Sequence, residues 1–141
     1  MTLDELIDTF SFLDDWMEKY RVIIELGKTL PELPEEAKVP ANKVLGCQSQ
    51  VWLVEGGRLP DGGVEFVADS DAHIVRGLVA IVFMIFSGKR PEEIAALDPR
   101  PIFEELGLDQ HLSQGRSNGL LSMVGRIKQI ASEIAAAQVG G

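Results

Sequence analysis

The sequence predicts an α+β fold, with helices on either side of a small antiparallel sheet in the middle of the chain. Apolar residues recur at helical spacing in the first 27 residues and again from residue 72 onward. Between these regions, two short runs of β-branched and aromatic residues flank a glycine-rich segment, as in a β-hairpin. We therefore expect one domain over residues 1–141, with a three-stranded antiparallel sheet flanked by helices.

The N-terminal region predicts two helices followed by an extended connector. The first five residues have the form of a capping box, in which Thr2 and Glu5 satisfy each other's free backbone N–H groups. We expect Ser11 to cap a second helix that ends at Gly27. The two prolines of segment 30–34 exclude a helix there, because each removes a backbone donor.

The sheet is predicted from the pattern of the middle segment. Residues 51–54 and 64–67 are rich in β-branched and aromatic types, which favour strands. The glycine-rich segment 56–63 between them is typical of a hairpin loop. We expect a third strand at residues 42–45, just before the hairpin.

Capping residues and prolines predict where the later helices begin. The Asp-Ser-Asp segment 69–71 offers side-chain oxygens to cap a helix that starts near Ala72. This helix is apolar nearly all round, so we expect it to be buried at the centre of the domain. Two short helices are expected at Pro91 and Pro101, and Ser113 is expected to cap the last helix.

The composition limits the classes of partner. The chain has 13 Lys and Arg against 22 Asp and Glu, a net charge of −9, which disfavours nucleic acid as a partner. The longest apolar run, residues 77–86, is about half of what spans a bilayer, and no basic amphipathic stretch favours a membrane surface. The first residues lack the pattern of a signal peptide. These features predict a cytoplasmic protein.

Cys47 is the foremost candidate for chemistry. It is the one cysteine of the chain, which excludes an intramolecular disulfide and any all-cysteine metal site or cluster within one chain. It follows Gly46, which permits a tight turn, and a thiolate at a loop tip can act as a nucleophile. The alternative from spacing alone is a small buried side chain, because free cysteine is among the most buried residue types.

Two other functions remain open from the residues alone. Cys47 with a histidine (His73 or His111) and Asp71 would form a cysteine hydrolase. A non-catalytic interaction module would use none of these groups. A metal site has little support, because these residues lack paired ligand spacing, and we predict no metal. Lys43, His73, His111, Arg116 and a helix N-terminus are the groups that could lower the pKa of the thiol.

The cysteine segment resembles the signature of a known family. Residues 44–52, Val-Leu-Gly-Cys-Gln-Ser-Gln-Val-Trp, are similar to the cysteine motif of the SufE/CsdE sulfur-acceptor proteins, which are partners of cysteine desulfurases. Three further blocks resemble the same family in the same order, at residues 21–31, 69–78 and 106–120. The resemblance therefore covers most of the chain.

This resemblance implies both a fold and a function. The implied fold is the α+β fold shared with IscU-type scaffolds. The implied function is that of a sulfur carrier that is not itself an enzyme but activates a PLP-dependent cysteine desulfurase of the SufS or CsdA type. The carrier takes persulfide sulfur and delivers it to an iron–sulfur scaffold such as SufB. It needs no cofactor of its own, and the PLP is expected on the desulfurase.

The resemblance also implies roles for individual residues. Cys47 matches the acceptor nucleophile, and Asp71 and Arg116 match positions that hold the cysteine loop and meet the desulfurase. The remaining loop and partner-contact residues implied by the match are Leu45, Gly46, Gln48, Ser49 and Gln50.

Overall fold

The computed structural model describes residues 1–47 and 49–140 and confirms the α+β class. A two-stranded antiparallel hairpin lies between two N-terminal helices and a C-terminal set of helices. The elements in chain order are α1 (Leu3–Phe12), α2 (Trp16–Gly27), β1 (Val51–Arg58), β2 (Val64–Ser70), α3 (His73–Phe86), α4 (Pro91–Ala96), α5 (Arg100–Glu105), α6 (Leu108–His111) and α7 (Gln114–Gly140). Two short 3₁₀ turns, Glu35–Ala37 and Pro40–Asn42, lie between α2 and β1.

The N-terminal helices confirm one predicted cap and correct another. Thr2 Oγ1 accepts from the Glu5 N–H at 3.2 Å, and Glu5 Oε1 accepts from the Thr2 N–H at 3.3 Å, which completes the capping box of α1. The prediction that Ser11 caps α2 is wrong. Ser11 is still inside α1, where its hydroxyl donates to the Asp8 carbonyl, and Asp15 caps α2 by accepting from the Met17 N–H.

The predicted hairpin is confirmed, but the third strand is wrong. β1 and β2 pair in antiparallel register, with Val51 opposite Ser70. At the predicted third strand the chain makes only a single bridge, Lys43 to Trp52, with the Val44 N–H donating to the Val51 carbonyl at 2.8 Å. Gly46 then adopts a φ of +89°, which turns the chain away from β1 before a ladder can form.

The start of α3 lies where the sequence predicts it, but its cap differs. Ala72 is the N-cap residue, and no side chain accepts a capping hydrogen bond. The two aspartates of segment 69–71 are engaged elsewhere: Asp69 pairs with Lys38 and Arg76, and Asp71 accepts from the Gln50 N–H. The prediction that this segment caps the helix through its side chains is therefore wrong.

The C-terminal helices begin at or next to the residues that the sequence predicts. Pro91 is the first residue of α4, whereas Pro101 is the second residue of α5. The short helix α6 was not predicted, and it begins after Gly107 adopts a φ of +75°. Ser113 caps α7, because its Oγ accepts from the Arg116 N–H at 3.3 Å.

Helix α3 forms the centre of the core, as its apolar sequence predicts. Most of its residues are buried, and it packs against α2, β2 and α7. The contact with α2 is a backbone-to-backbone approach at two glycines. A Cβ on Gly27 would lie 2.7 Å from the Gly77 backbone nitrogen, and a Cβ on Gly77 would overlap the Ile23 carbonyl oxygen. The two glycines therefore set the distance between these helices.

Among the residues that the structure describes, no helix is both long enough and apolar enough to cross a membrane.

We predict that Gly77→Ala destabilises the protein by about 1–3 kcal/mol, because an added Cβ must push apart two packed backbones. The measurement is the free energy of unfolding from urea titration. The matched control is Gly125→Ala on α7, where nothing lies within 4 Å of the added Cβ. Since alanine favours helix more than glycine does, this control should gain roughly 0.5–1 kcal/mol. Equal stability of the two variants would contradict the close contact of α2 and α3.

Candidate functional site

The cysteine loop, defined here as residues 45–50, connects the Lys43 bridge to the first residue of β1. Its described part comprises residues 45–47 and 49–50. The positive φ of Gly46 turns the chain over α7, and a Cβ at this position would lie 2.6 Å from the Ser122 Oγ. The positive φ favours glycine here, whereas the Ser122 hydroxyl could rotate away from an added Cβ.

Cys47 is half-buried against α7. Its Sγ donates a hydrogen bond to the Gly119 carbonyl at 3.6 Å. The sulfur lies close to the Gly119 backbone, since a Cβ at that position would be 3.4 Å from Sγ, in ordinary van der Waals contact. The sulfur thus faces a small cavity of about 110 Å³ at the contact between the cysteine loop, α3 and α7. The lining residues are Cys47, Ser49, Val75, Leu78, Gly115, Arg116, Gly119 and Met123.

Burial controls the protonation of the cysteine. Removal of water raises the pKa of the Cys47 thiol above its ordinary value. A thiolate carries charge and a thiol does not, so a partly apolar site favours the neutral form. In this arrangement Cys47 is therefore a protected thiol, because the thiolate is the reactive nucleophile.

Arg116 is the one cationic side chain that lines the Cys47 cavity in the described part of the chain. Ser113 caps the first turn of α7 through the Arg116 backbone N–H, so the same hydrogen bond that begins the helix also positions this arginine. The Cys47 cavity is therefore lined both by the one cysteine of the chain and by a cationic side chain.

Asp71 fixes the C-terminal end of the cysteine loop by hydrogen bonds to Gln50. Its Oδ1 accepts from the Gln50 N–H at 3.1 Å, and its own N–H donates to the Gln50 carbonyl at 3.3 Å. These two hydrogen bonds extend the pairing of β1 and β2 by one residue pair beyond the hairpin ladder. The position of Gln50, where the loop joins β1, is therefore fixed relative to β2.

A set of ion pairs anchors the segment that leads into the cysteine loop. Lys38 Nζ lies 3.0 Å from Asp69 Oδ2 and 2.8 Å from Glu35 Oε1, and Arg76 Nε lies 3.2 Å from Asp69 Oδ1. Burial alone would raise the pKa of Asp69. Hydrogen bonds from Lys38 and the Ser70 N–H, with the charges of Lys38 and Arg76, instead hold that pKa below its ordinary value. The anchor is therefore charged at neutral pH and ties this segment to β2 and α3.

The predicted site residues do not all lie together. Cys47, Ser49 and Arg116 share the cavity, and Gly46 lies on α7 beside it. Leu45 points away and is 82% exposed. Gln50 and Asp71 meet at the base of the loop. Gln48 lies outside the described residues.

Neither histidine of the hydrolase alternative lies in the cavity. His73 is exposed at the start of α3. His111 stacks on Trp16 with ring centroids 4.1 Å apart, and its carbonyl accepts from the Tyr20 hydroxyl at 2.7 Å. Within residues 1–47 and 49–140, no cluster of three or more His, Cys, Asp or Glu side chains could hold a metal ion.

Sequence reasoning missed the residues that enclose the sulfur. Val75, Leu78 and Met123 were identified only as helix residues or not singled out at all, although they line the cavity. Gly119 did carry a signal, because glycine inside a helix is unfavourable and indicates a close backbone approach. Nothing in the local sequence indicated the pairing of Lys38 with Asp69, since 31 positions separate them along the chain.

Comparison with known proteins identifies the family that the chain matches. A family model described as the SufE Fe-S metabolism associated domain matches residues 4–131. An uncharacterized SufE-like protein of Rhizobium etli is 58% identical over 138 residues, covering 96% of this chain and 93% of that protein. An uncharacterized SufE-like protein of Rhizobium meliloti is 56% identical over 132 residues, covering 92% and 94%.

The fold itself has a solved counterpart. The solution structure of a hypothetical protein from Thermus thermophilus superposes with a TM-score of 0.73 at 18% identity, covering 96% of this chain and 99% of that chain. This likeness bears on the fold alone. The family match spans nearly the whole domain and includes both the cysteine loop and the part of α7 beneath it. The chain therefore belongs to the SufE family of Fe-S metabolism associated proteins.

Proposed function

We propose that this protein accepts sulfur from a PLP-dependent cysteine desulfurase as a persulfide on Cys47, stimulates that desulfurase, and delivers the sulfur for iron–sulfur cluster assembly. The observation that carries the proposal is the cavity that both Cys47 and Arg116 line. Membership of a family associated with Fe-S metabolism supports iron–sulfur cluster assembly as the destination of the sulfur.

The chemistry needs one thiolate and no cofactor on this chain. The Cys47 thiolate attacks the terminal sulfur of the desulfurase persulfide, and a new S–S bond forms as the bond inside the donor persulfide breaks. The desulfurase cysteine leaves as a thiolate, and Cys47 carries the terminal sulfur as a persulfide. The oxidation state of sulfur is conserved overall, so the transfer needs no external oxidant or reductant.

The number of cysteines fits a carrier better than a cluster scaffold. The chain has one cysteine, whereas iron–sulfur clusters are commonly held by several thiolates. A single sulfur atom can be attached at Cys47 without a second ligand. We therefore place the protein before the scaffold, with a SufB-type protein as the recipient and a SufS-type or CsdA-type enzyme as the donor.

The Cys47 cavity is suited to shelter the transferred sulfur. Its volume of about 110 Å³ exceeds the roughly 30 Å³ that one water molecule occupies in liquid water, so an added sulfur atom fits beside Cys47. Arg116 would stabilise the negative charge of a persulfide there, since an opposite charge nearby favours the ionised form. The apolar wall of Val75, Leu78 and Met123 would limit access of reductants.

The first prediction concerns Cys47 itself. Cys47→Ser should abolish sulfur acceptance, because a hydroxyl cannot form a persulfide. The measurement is intact mass spectrometry after incubation with an active cysteine desulfurase and free cysteine, without reductant. The wild-type protein should gain one sulfur atom and the variant none. Failure of the wild-type protein to gain sulfur from SufS-type and CsdA-type enzymes alike would overturn the proposed function.

The second prediction concerns Arg116. Arg116→Ala should slow sulfur transfer and weaken stimulation of the desulfurase by about tenfold, with unchanged thermal stability, because an exposed arginine contributes little to folding. Arg116→Lys retains the positive charge and should recover much of the rate. If Arg116→Ala transfers sulfur at the wild-type rate, Arg116 has no part in the site.

The third prediction concerns the protection of the thiol. Because burial raises the pKa of Cys47, its alkylation by iodoacetamide should reach half-maximal rate at a higher pH in the folded protein than in urea. Below that midpoint the folded thiol remains protonated and reacts slowly. Addition of the desulfurase should accelerate the reaction at fixed pH by drawing Cys47 out of its cavity. Equal midpoints in folded and unfolded protein would contradict the protective role of burial.

A further inference from the structure

A second concave surface lies beside the cysteine loop. This open groove of about 360 Å³, here called the Lys43–Arg126 groove, lies between the segment that precedes Cys47 and the middle of α7. Lys43, Leu45, Ser122, Arg126 and Gln129 are among its lining residues. It is separate from the cavity that receives the Cys47 sulfur, because no lining residue is shared.

The charge of this groove is opposite to that of the protein. Its lining contains two cations and no acidic side chain, although the chain carries a net charge of −9. In the described part of the chain, neither Lys43 nor Arg126 forms an ion pair. The nearest acid along α7 is Glu133, which accepts from Gln129 rather than from Arg126. The positive charge of the groove is therefore available to an external group.

Arg126 is incompletely satisfied. Its Nη1 donates to Gln129 Oε1 at a long 3.4 Å, and its Nε is buried without a hydrogen-bond partner among the described residues. A buried donor without an acceptor is unfavourable, and guanidinium groups pair best with carboxylates through two parallel hydrogen bonds. A small movement of this side chain toward an incoming carboxylate would satisfy the free donor.

The groove is also placed to act on the sulfur transfer. On α7, residues 116, 119, 122 and 126 recur at helical spacing and share one face. Arg116 and Gly119 contact the Cys47 cavity, Ser122 lies under Gly46, and Arg126 lies in the groove. A partner held in the groove would therefore contact the helix on which the reactive cysteine rests.

We propose that the Lys43–Arg126 groove binds a carboxylate-bearing segment of the cysteine desulfurase, with the exposed Leu45 as the adjoining apolar contact. The inference rests on the proposed function, because it takes the sulfur donor as the occupant. Complementary charge raises the rate of encounter and fixes the orientation of two proteins more than it changes the chemistry between them. The groove thus serves docking, and the cavity serves transfer.

The test is the rate of sulfur transfer to Cys47 at increasing concentrations of this protein, measured in low salt with a desulfurase that modifies the wild-type chain. Lys43→Glu combined with Arg126→Glu should raise the half-saturating concentration by about tenfold and change the maximal rate by less than roughly twofold. In about 0.5 M NaCl the difference should largely disappear, because salt screens exposed charges.

The matched control is Arg58→Glu. It reverses one positive charge, as each single substitution of the double variant does, on an exposed arginine at the far end of β1, about 23 Å along the strand from Val51. It should leave the half-saturating concentration near the wild-type value. Lys43→Gln combined with Arg126→Gln provides a milder variant with an intermediate effect, and it replaces the double reversal if that variant does not fold. Iodoacetamide reactivity of Cys47 should be unchanged in all of them.

The outcomes separate the two proposals. If wild-type protein gains sulfur but the Lys43 and Arg126 variants saturate at the same concentration as wild type and Arg58→Glu, the groove proposal is overturned and the sulfur-carrier function stands. If the variants lower only the maximal rate, the groove acts in transfer rather than docking and the proposal also fails. If wild-type protein gains no sulfur at all, both proposals fail together.

Discussion

The close approach of α2 and α3 at Gly27 and Gly77 is the contact on which the functional site depends. It sets the depth of α3 in the core, and Gly77 is flanked along the helix by Val75 and Leu78, which both line the Cys47 cavity. A change in the separation of the two helices would displace these side chains from their positions in the cavity wall. Packing in protein interiors transmits such displacements because it leaves few voids. The geometry of the site thus depends on a contact between glycine backbones that itself takes no part in the chemistry.

The cysteine loop combines protection of the sulfur with fixed ends. Ion pairs from Asp69 to Lys38 and Arg76 anchor the chain before the loop, and the Gln50–Asp71 hydrogen bonds anchor it afterwards. The hydrogen bond that the Cys47 thiol donates to the Gly119 carbonyl is long, and it is weak compared with those anchors because a thiol is a weak donor. The proposed exposure of Cys47 to a donor would break this weak contact and leave both anchors in place. The proposed carrier would then shelter and release a sulfur atom without unfolding its neighbours.

Two cations on one face of α7 lie at different sites, one proposed for sulfur transfer and the other for docking. Arg116 lies at the Cys47 cavity, and Arg126 lies with Lys43 at the groove on the other side of the loop. An acidic protein with a local group of cations repels acidic surfaces over most of its own surface and can attract them at that group. Leu45, which is 82% exposed and lines the groove with Lys43 and Arg126, adds an apolar contact there. Docking and sulfur transfer would therefore use neighbouring but separate groups.

Local sequence determined the features that depend on a few adjacent residues. The capping box at Thr2, the hairpin of β1 and β2 and the proline start of α4 all follow from residue types and spacing, because their physical causes lie within short stretches of chain. The choice of Cys47 as the functional residue likewise came from its local sequence and stays a prediction. Features that depend on distant partners were decided by the tertiary structure. Asp15 replaced Ser11 as a cap because α1 continued through Ser11, and Gly46 turned the chain away before a third strand could form. The enclosure of the cysteine sulfur by α3 and α7, and the basic groove beside it, exist only because folding brings together segments that are far apart in the chain.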